Sequence, residues 1–121
     1  MYSSHYLKMK PTVKKQVAFL NFLVSADSAQ QKVIVKALTS EQYDVLAEIA
    51  LNIYTGTYPL TKKYINQLKP YHSNIRSLGS REVASKQKRR ILLNNLPLLP
   101  LLLKPIVHHL DQNGTRNDTT A

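Results

Sequence analysis

Cysteine and tryptophan are absent from this chain, glycine occurs three times, and seven acids stand against seventeen lysines and arginines. Without cysteine there are no disulfides, no thiolate metal sites and no thiol nucleophile. Gly56, Gly79 and Gly114 lie far apart, so no glycine-rich loop can cradle a phosphate. Among the few acids, Glu41, Asp44 and Glu48 recur at helical spacing and could imitate a weak divalent-cation site; the plainer reading, helix-start charges on a solvated face, is preferred. The histidines offer no catalytic set. Side chains adjacent on a helix diverge by ~100°, so His108 and His109 do not chelate one ion, even with Asp111 nearby. His72 falls beside an apolar stripe, and His5 sits in a loose N-terminus. No nucleophile, base and oxyanion donor come together. The expectation is a protein that is not an enzyme and needs no metal or cofactor.

A clean membrane span is also missing. Ile91–Leu110 has the length but contains Asn94, Asn95, Pro97, Pro100, Lys104 and Pro105. Val17–Val24, preceded by Lys14 and Lys15, is short and interrupted by Asn21, and reads as a core helix rather than a secretion signal.

What the chain has in abundance is local positive charge. Between Lys62 and Arg90 stand nine basic residues, Lys62, Lys63, Lys69, Arg76, Arg81, Lys86, Lys88, Arg89 and Arg90, and one acid, Glu82. That segment holds +8 of a total charge of +10. Such density is costly in self-repulsion unless a polyanion neutralises it, and nucleic acid is the commonest one. Four of the five residues Lys86–Arg90 are cations, spread around one helix so that no single internal partner can serve them all. No side-chain pattern resembles a base-reading helix, so binding without sequence preference is expected. Tyr64 and Tyr71 are interleaved with lysines and could stack on bases, although packing along a core edge is the commoner use.

The apolar pattern is helical throughout, with no strand alternation. Residues 13, 17, 20 and 24 share one face. Asp27 with Gln30, and Thr39 with Gln42, have the spacing of capping boxes. The first opens a helix through about Leu38 with Val33, Ile34, Ala37 and Leu38 inward. The second opens the core helix, with Tyr43, Leu46, Ile49, Ala50, Ile53 and Tyr54 as its stripe and Gly56 as its C′ residue. Thr61 can cap a fourth helix, which Pro70 should kink or divide before Gly79. A fifth is predicted over Glu82–Asn94, and Leu96–Leu110 is predicted as a short helix broken at its prolines. The fold class expected is all-α: a small bundle of four to six helices with short loops and disordered termini. The chain divides into a flexible N-terminus (1–12), a helical domain with a basic C-terminal part (13–95), a leucine/proline-rich apolar segment (96–110) and a disordered tail (111–121).

The leucine-rich segment admits two readings that sequence leaves open. It is the last core helix, or it is a contact surface in which Leu98, Leu99, Leu101, Leu102, Leu103 and Ile106 meet a membrane or a partner.

From Ala47 onward the chain resembles a small basic core-like protein of Maverick/Polinton (adintovirus-type) elements. The residues that carry the likeness are Ala50-Leu51-Asn52-Ile53, Gly56, Pro59-Leu60-Thr61, Leu68, Ile75-Arg76-Ser77-Leu78, Ser85-Lys86-Gln87-Lys88-Arg89-Arg90-Ile91-Leu92-Leu93 and Leu96-Pro97-Leu98-Leu99-Pro100-Leu101-Leu102. The junction of basic run and leucine–proline segment is also similar to the end of the adenoviral mu core protein precursor. Asn94 and Asn95 replace the glycines expected there, and the apolar stretch stops at Leu110; both departures weaken any carry-over of membrane activity or of proteolytic processing. The resemblance implies a virion protein that condenses or accompanies packaged DNA, placed in a virion or nucleus, with DNA ahead of RNA as partner. Other virion proteins, an anionic membrane and a second copy of the chain are further candidate partners. The alternatives to a DNA-associated core or accessory protein are a membrane-docking protein and a helical adaptor for an acidic protein.

Overall fold

The computed structural model describes residues 11–58 and 60–120, with side chains described at 13–58 and 60–110. The expectations for residues 1–10, and for Pro59 in the turn before Thr61, lie outside the described residues. Every element among the described residues is helical: α1 (Pro11–Lys15), α2 (Val17–Ser25), α3 (Ser28–Lys36), α4 (Ser40–Tyr54), α5 (Lys62–Leu68), a 3₁₀ turn (Lys69–Tyr71), α6 (His72–Gly79), α7 (Ser85–Asn94) and α8 (Leu98–Thr120). The chain is all-α, as its periodicity predicts.

Local chemistry sets most boundaries. Asp27 accepts a hydrogen bond from the Gln30 amide at 2.8 Å while the Asp27 amide donates to Gln30 Oε1 at 3.0 Å, so the box ahead of α3 is complete. Thr39 and Gln42 repeat the arrangement at α4. Each box satisfies two of the backbone N–H groups that a helix start leaves without partners. At the other end of α4, Gly56 has φ +77°, the Gly56 amide donates to Ile53 and the Thr57 amide donates to Asn52. This is a Schellman closure, and only glycine adopts that φ without strain. Thr61 accepts from the Tyr64 amide at 3.2 Å and opens α5. Pro70 divides the next stretch into two short helices joined by the 3₁₀ turn.

Three expectations are corrected. The helix predicted from residue 13 is interrupted by a turn at Gln16, which separates α1 from α2. On α3 the inward residues are Gln31, Val35 and, just beyond the helix, Leu38, while Val33 is 68 % exposed and Ala37 also faces out. The run Val33-Ile34-Val35 is apolar on every side, so periodicity alone cannot choose its face. The third correction is α8, which is unbroken where prolines were expected to divide it. Pro97 precedes the helix, and Pro100 lies in its first turn, where an amide has no intrahelical acceptor to lose. Pro105 alone is interior.

The core forms where α4 packs along α6 and α2 along α8, with α8 also reaching α4 and α5, and α7 resting on α3 and α6. Gly79 permits a close approach of α6 to α4: a Cβ there would stand 2.9 Å from Leu51 Cα and N. Leu98, Leu99, Leu102 and Leu103 are fully buried, Ile106 nearly so, and Leu101 partly. Of the two readings left open for the leucine-rich segment, the last core helix is therefore the one the burial supports, and these six side chains do not form a free contact surface. Their burial against α2, α4 and α5 offsets the hydrogen bond that Pro105 removes.

Candidate nucleic-acid interface

The basic segment is carried by α5, the 3₁₀ turn, α6, the loop to α7, and α7 itself. Each helix turns a narrow apolar stripe inward, with Leu68 on α5, Ile75 and Leu78 on α6, and Leu92 on α7 buried. The polar positions between them face water. Lys62, Lys63, Lys69, Arg76, Arg81, Lys86 and Arg90 are all exposed. In the loop, Ser80 Oγ accepts from the Glu82 amide at 3.2 Å, which fixes a turn presenting Arg81 and Glu82 together.

Two of the nine cations behave otherwise. Lys88 is only 8 % exposed, since it lies one turn before Leu92 on the buried side of α7. It lines a cleft of about 620 Å³ with Asp44 and Glu48 of α4, Arg81 and Ser85. Burial holds the Lys88 ammonium below the ordinary lysine pKa, and the charge of Asp44 works in the opposite direction. Arg89 is half-buried and reaches α4: its Nε donates to Tyr43 Oη at 3.0 Å, and its guanidinium carbon lies 5.9 Å from the ring centroid. Tyr43 Oη in turn donates to the Val35 carbonyl at 3.3 Å. No single internal partner serves the four cations of Lys86–Arg90, as expected, but the expectation that all of them are on display is corrected, because Lys88 and Arg89 are turned toward α4. Neither contact is legible locally, since Arg89 and Tyr43 are 46 residues apart. The one available signal is the i, i+4 pairing of Lys88 with Leu92.

Glu48 of the cleft wall also joins a small polar network at α4's end. Asn52 Nδ2 lies 3.2 Å from Glu48 Oε2 and 3.3 Å from Tyr58 Oη. Burial raises the Tyr58 phenol pKa, the hydrogen bond from Asn52 lowers it, and the Glu48 charge raises it. Glu41, Asp44 and Glu48 do not assemble a cation cage, and no group of three metal-capable side chains gathers among the described residues.

Tyr64 and Tyr71 are half-buried and pack against the core, and burial raises the Tyr64 phenol pKa. The exposed ring pair is instead Tyr54 with His72, centroids 5.1 Å apart and tilted by 42°. No single helix among the described residues is long and apolar enough to cross a membrane. No known protein family, curated protein or solved structure matches the chain.

Proposed function

We propose that this protein binds nucleic acid through its phosphates, without sequence preference and without catalysis, as a DNA-associated core or accessory protein of viral or mobile-element origin. The observation that carries the reading is the set of seven exposed cations, Lys62, Lys63, Lys69, Arg76, Arg81, Lys86 and Arg90, in a segment with a single acid, Glu82; of the seven, Arg81 also lines the cleft that holds Asp44 and Glu48. Their placement adds to it. Lys62 and Lys63 stand in the first turn of α5, and Lys86 in that of α7, with no acid in either turn. The helix macrodipole disfavours cations there by ~0.3–1 kcal/mol each, a cost that an approaching phosphate reverses. The contact set is narrower than nine residues, because Lys88 and Arg89 are turned inward. The membrane-docking alternative loses its main support with the burial of Leu98, Leu99, Leu102 and Leu103.

The test is a binding titration against duplex DNA of two unrelated sequences at several salt concentrations. If five of the seven cations touch phosphates, the logarithm of affinity falls with a slope of about −4.5 against log salt, roughly 500-fold for a fourfold rise in salt. Exchange of Lys86 and Arg90 for glutamine should reduce that slope by about 2, and exchange of Lys88 should not. Affinity independent of salt, or strong discrimination between the two sequences, would sink the proposal.

A further inference from the structure

We propose that the groove at the C-terminal end of α4 receives a single apolar side chain from an acidic protein segment, held there by hydrocarbon contact within and by Lys69 at the rim. The groove has a volume of about 270 Å³ and lies between α4, α5 and α6. That is below the roughly 300–1,000 Å³ of sites for whole small molecules, and suits one large side chain. Leu68 and Ile75 form its buried floor, and Leu60 adds to the wall. Two apolar side chains lie open beside them, Ile65 at 47 % exposure and Tyr54 at 39 %. Single exposed hydrophobes are ordinary; here two converge on one concave hydrocarbon floor, which offers a pocket for an apolar side chain. The Tyr54 ring rests against His72 and closes one end.

Charge decides the sign of the occupant. From Thr55 through Arg81 the chain has no aspartate or glutamate and five cations. Lys69 lines the groove itself, and Lys62 and Lys63 open the helix that supplies Ile65 and Leu68. The lining decides the chemistry of the anchor. A nucleobase would bury its N–H and carbonyl edges against hydrocarbon, with few partners beyond Lys69 and His72, and unpaired buried polar groups are costly. A leucine or phenylalanine side chain leaves nothing unpaired. Because Lys62, Lys63 and Lys69 also belong to the phosphate-binding set, such a segment and nucleic acid would exclude one another. This inference stands independently of nucleic-acid binding.

The experiment titrates the isotope-labelled full chain with a synthetic peptide of glutamates and aspartates bearing one central phenylalanine, and with its Phe→Ser twin, by NMR. The expected result is shift changes at Tyr54, Ile65, Leu68 and His72, an affinity at least tenfold weaker for the twin, and a comparable loss in Ile65→Ser and Lys69→Glu variants. A thermal melt reports whether Ile65→Ser folds; should it fail, the peptide pair on the wild-type chain decides. Equal affinity for both peptides, shifts elsewhere on the molecule, or a stronger groove response to a single-stranded oligonucleotide or to phosphatidylserine vesicles would overturn the proposal.

Discussion

Lys88 shows how one position can belong to a basic run and yet take no part in its charge display. Its stem continues the stripe of Leu92, and its ammonium faces a cleft that also contains Asp44. Desolvation lowers its pKa, so the folded chain holds this proton less tightly than the unfolded chain does. Between that lowered value and the ordinary 10.5, the unfolded state carries more protons, and stability from this group rises with pH. Below that window the buried charge is a standing cost. Lys88→Met should therefore leave the urea midpoint unchanged or raise it slightly, and leave DNA affinity as it was. A tenfold loss of affinity would place the ammonium among the phosphate contacts after all. His109 gives the second expectation at this scale. Burial, with His108 alongside, lowers its pKa below the ordinary 6.5. The unfolded chain then takes up the proton first, so stability from this group is lost as pH falls through 6.5 toward the lowered value. The melting temperature of a His109→Gln variant should fall less between pH 7 and pH 5 than that of the wild type. An identical slope in both would show that His109 is not linked to folding.

Among the elements, the pair α4 and α6 is held by a residue that the sequence misidentifies in purpose. Gly79 reads as a helix terminator, and α6 does end there, but Gly56 is the glycine with positive φ among the described residues. The reason for glycine at position 79 is the Leu51 backbone 2.9 Å from where a Cβ would be. Backbone cannot step aside as a flexible side chain can, so Gly79→Ala should push α6 off α4 and cost ~1–3 kcal/mol. Differential scanning calorimetry measures this directly, and Gly79→Ala with an unchanged melting temperature would mean that the two helices are not packed as closely as this. The contrast explains what the sequence revealed. Capping boxes, the Schellman glycine, the Thr61 cap and the division at Pro70 are rules about neighbours three or four residues apart, and all were readable. The face of α3, the continuity of α8 and the purpose of Gly79 depend on what packs opposite. Counting prolines predicts a break in α8, whereas the burial of Leu98, Leu99, Leu102 and Leu103 decides against it. The candidate site divides in the same way: its seven exposed cations were legible as charge density, and the withdrawal of Lys88 and Arg89 was set by α4, far away in sequence.

For the molecule as a whole, salt should act on folding and on binding with opposite signs. A charge of +10 on 121 residues opposes compaction through self-repulsion. Raising sodium chloride from 20 to 300 mM shortens the screening length from roughly 20 Å to roughly 6 Å, so the free chain should melt at higher temperature as salt rises. Duplex DNA present at a hundred times its dissociation constant adds about 2.7 kcal/mol to the folded state at low salt, roughly 10 °C for a chain of this size. That increment must vanish as salt releases the complex. Plotted against salt, the melting temperature of the free chain climbs while that of the complex falls toward it, and the two curves meet. Were the free chain insensitive to salt and the duplex without effect on melting, the exposed cations would be balanced within the fold, and nothing would be left to draw a polyanion to them.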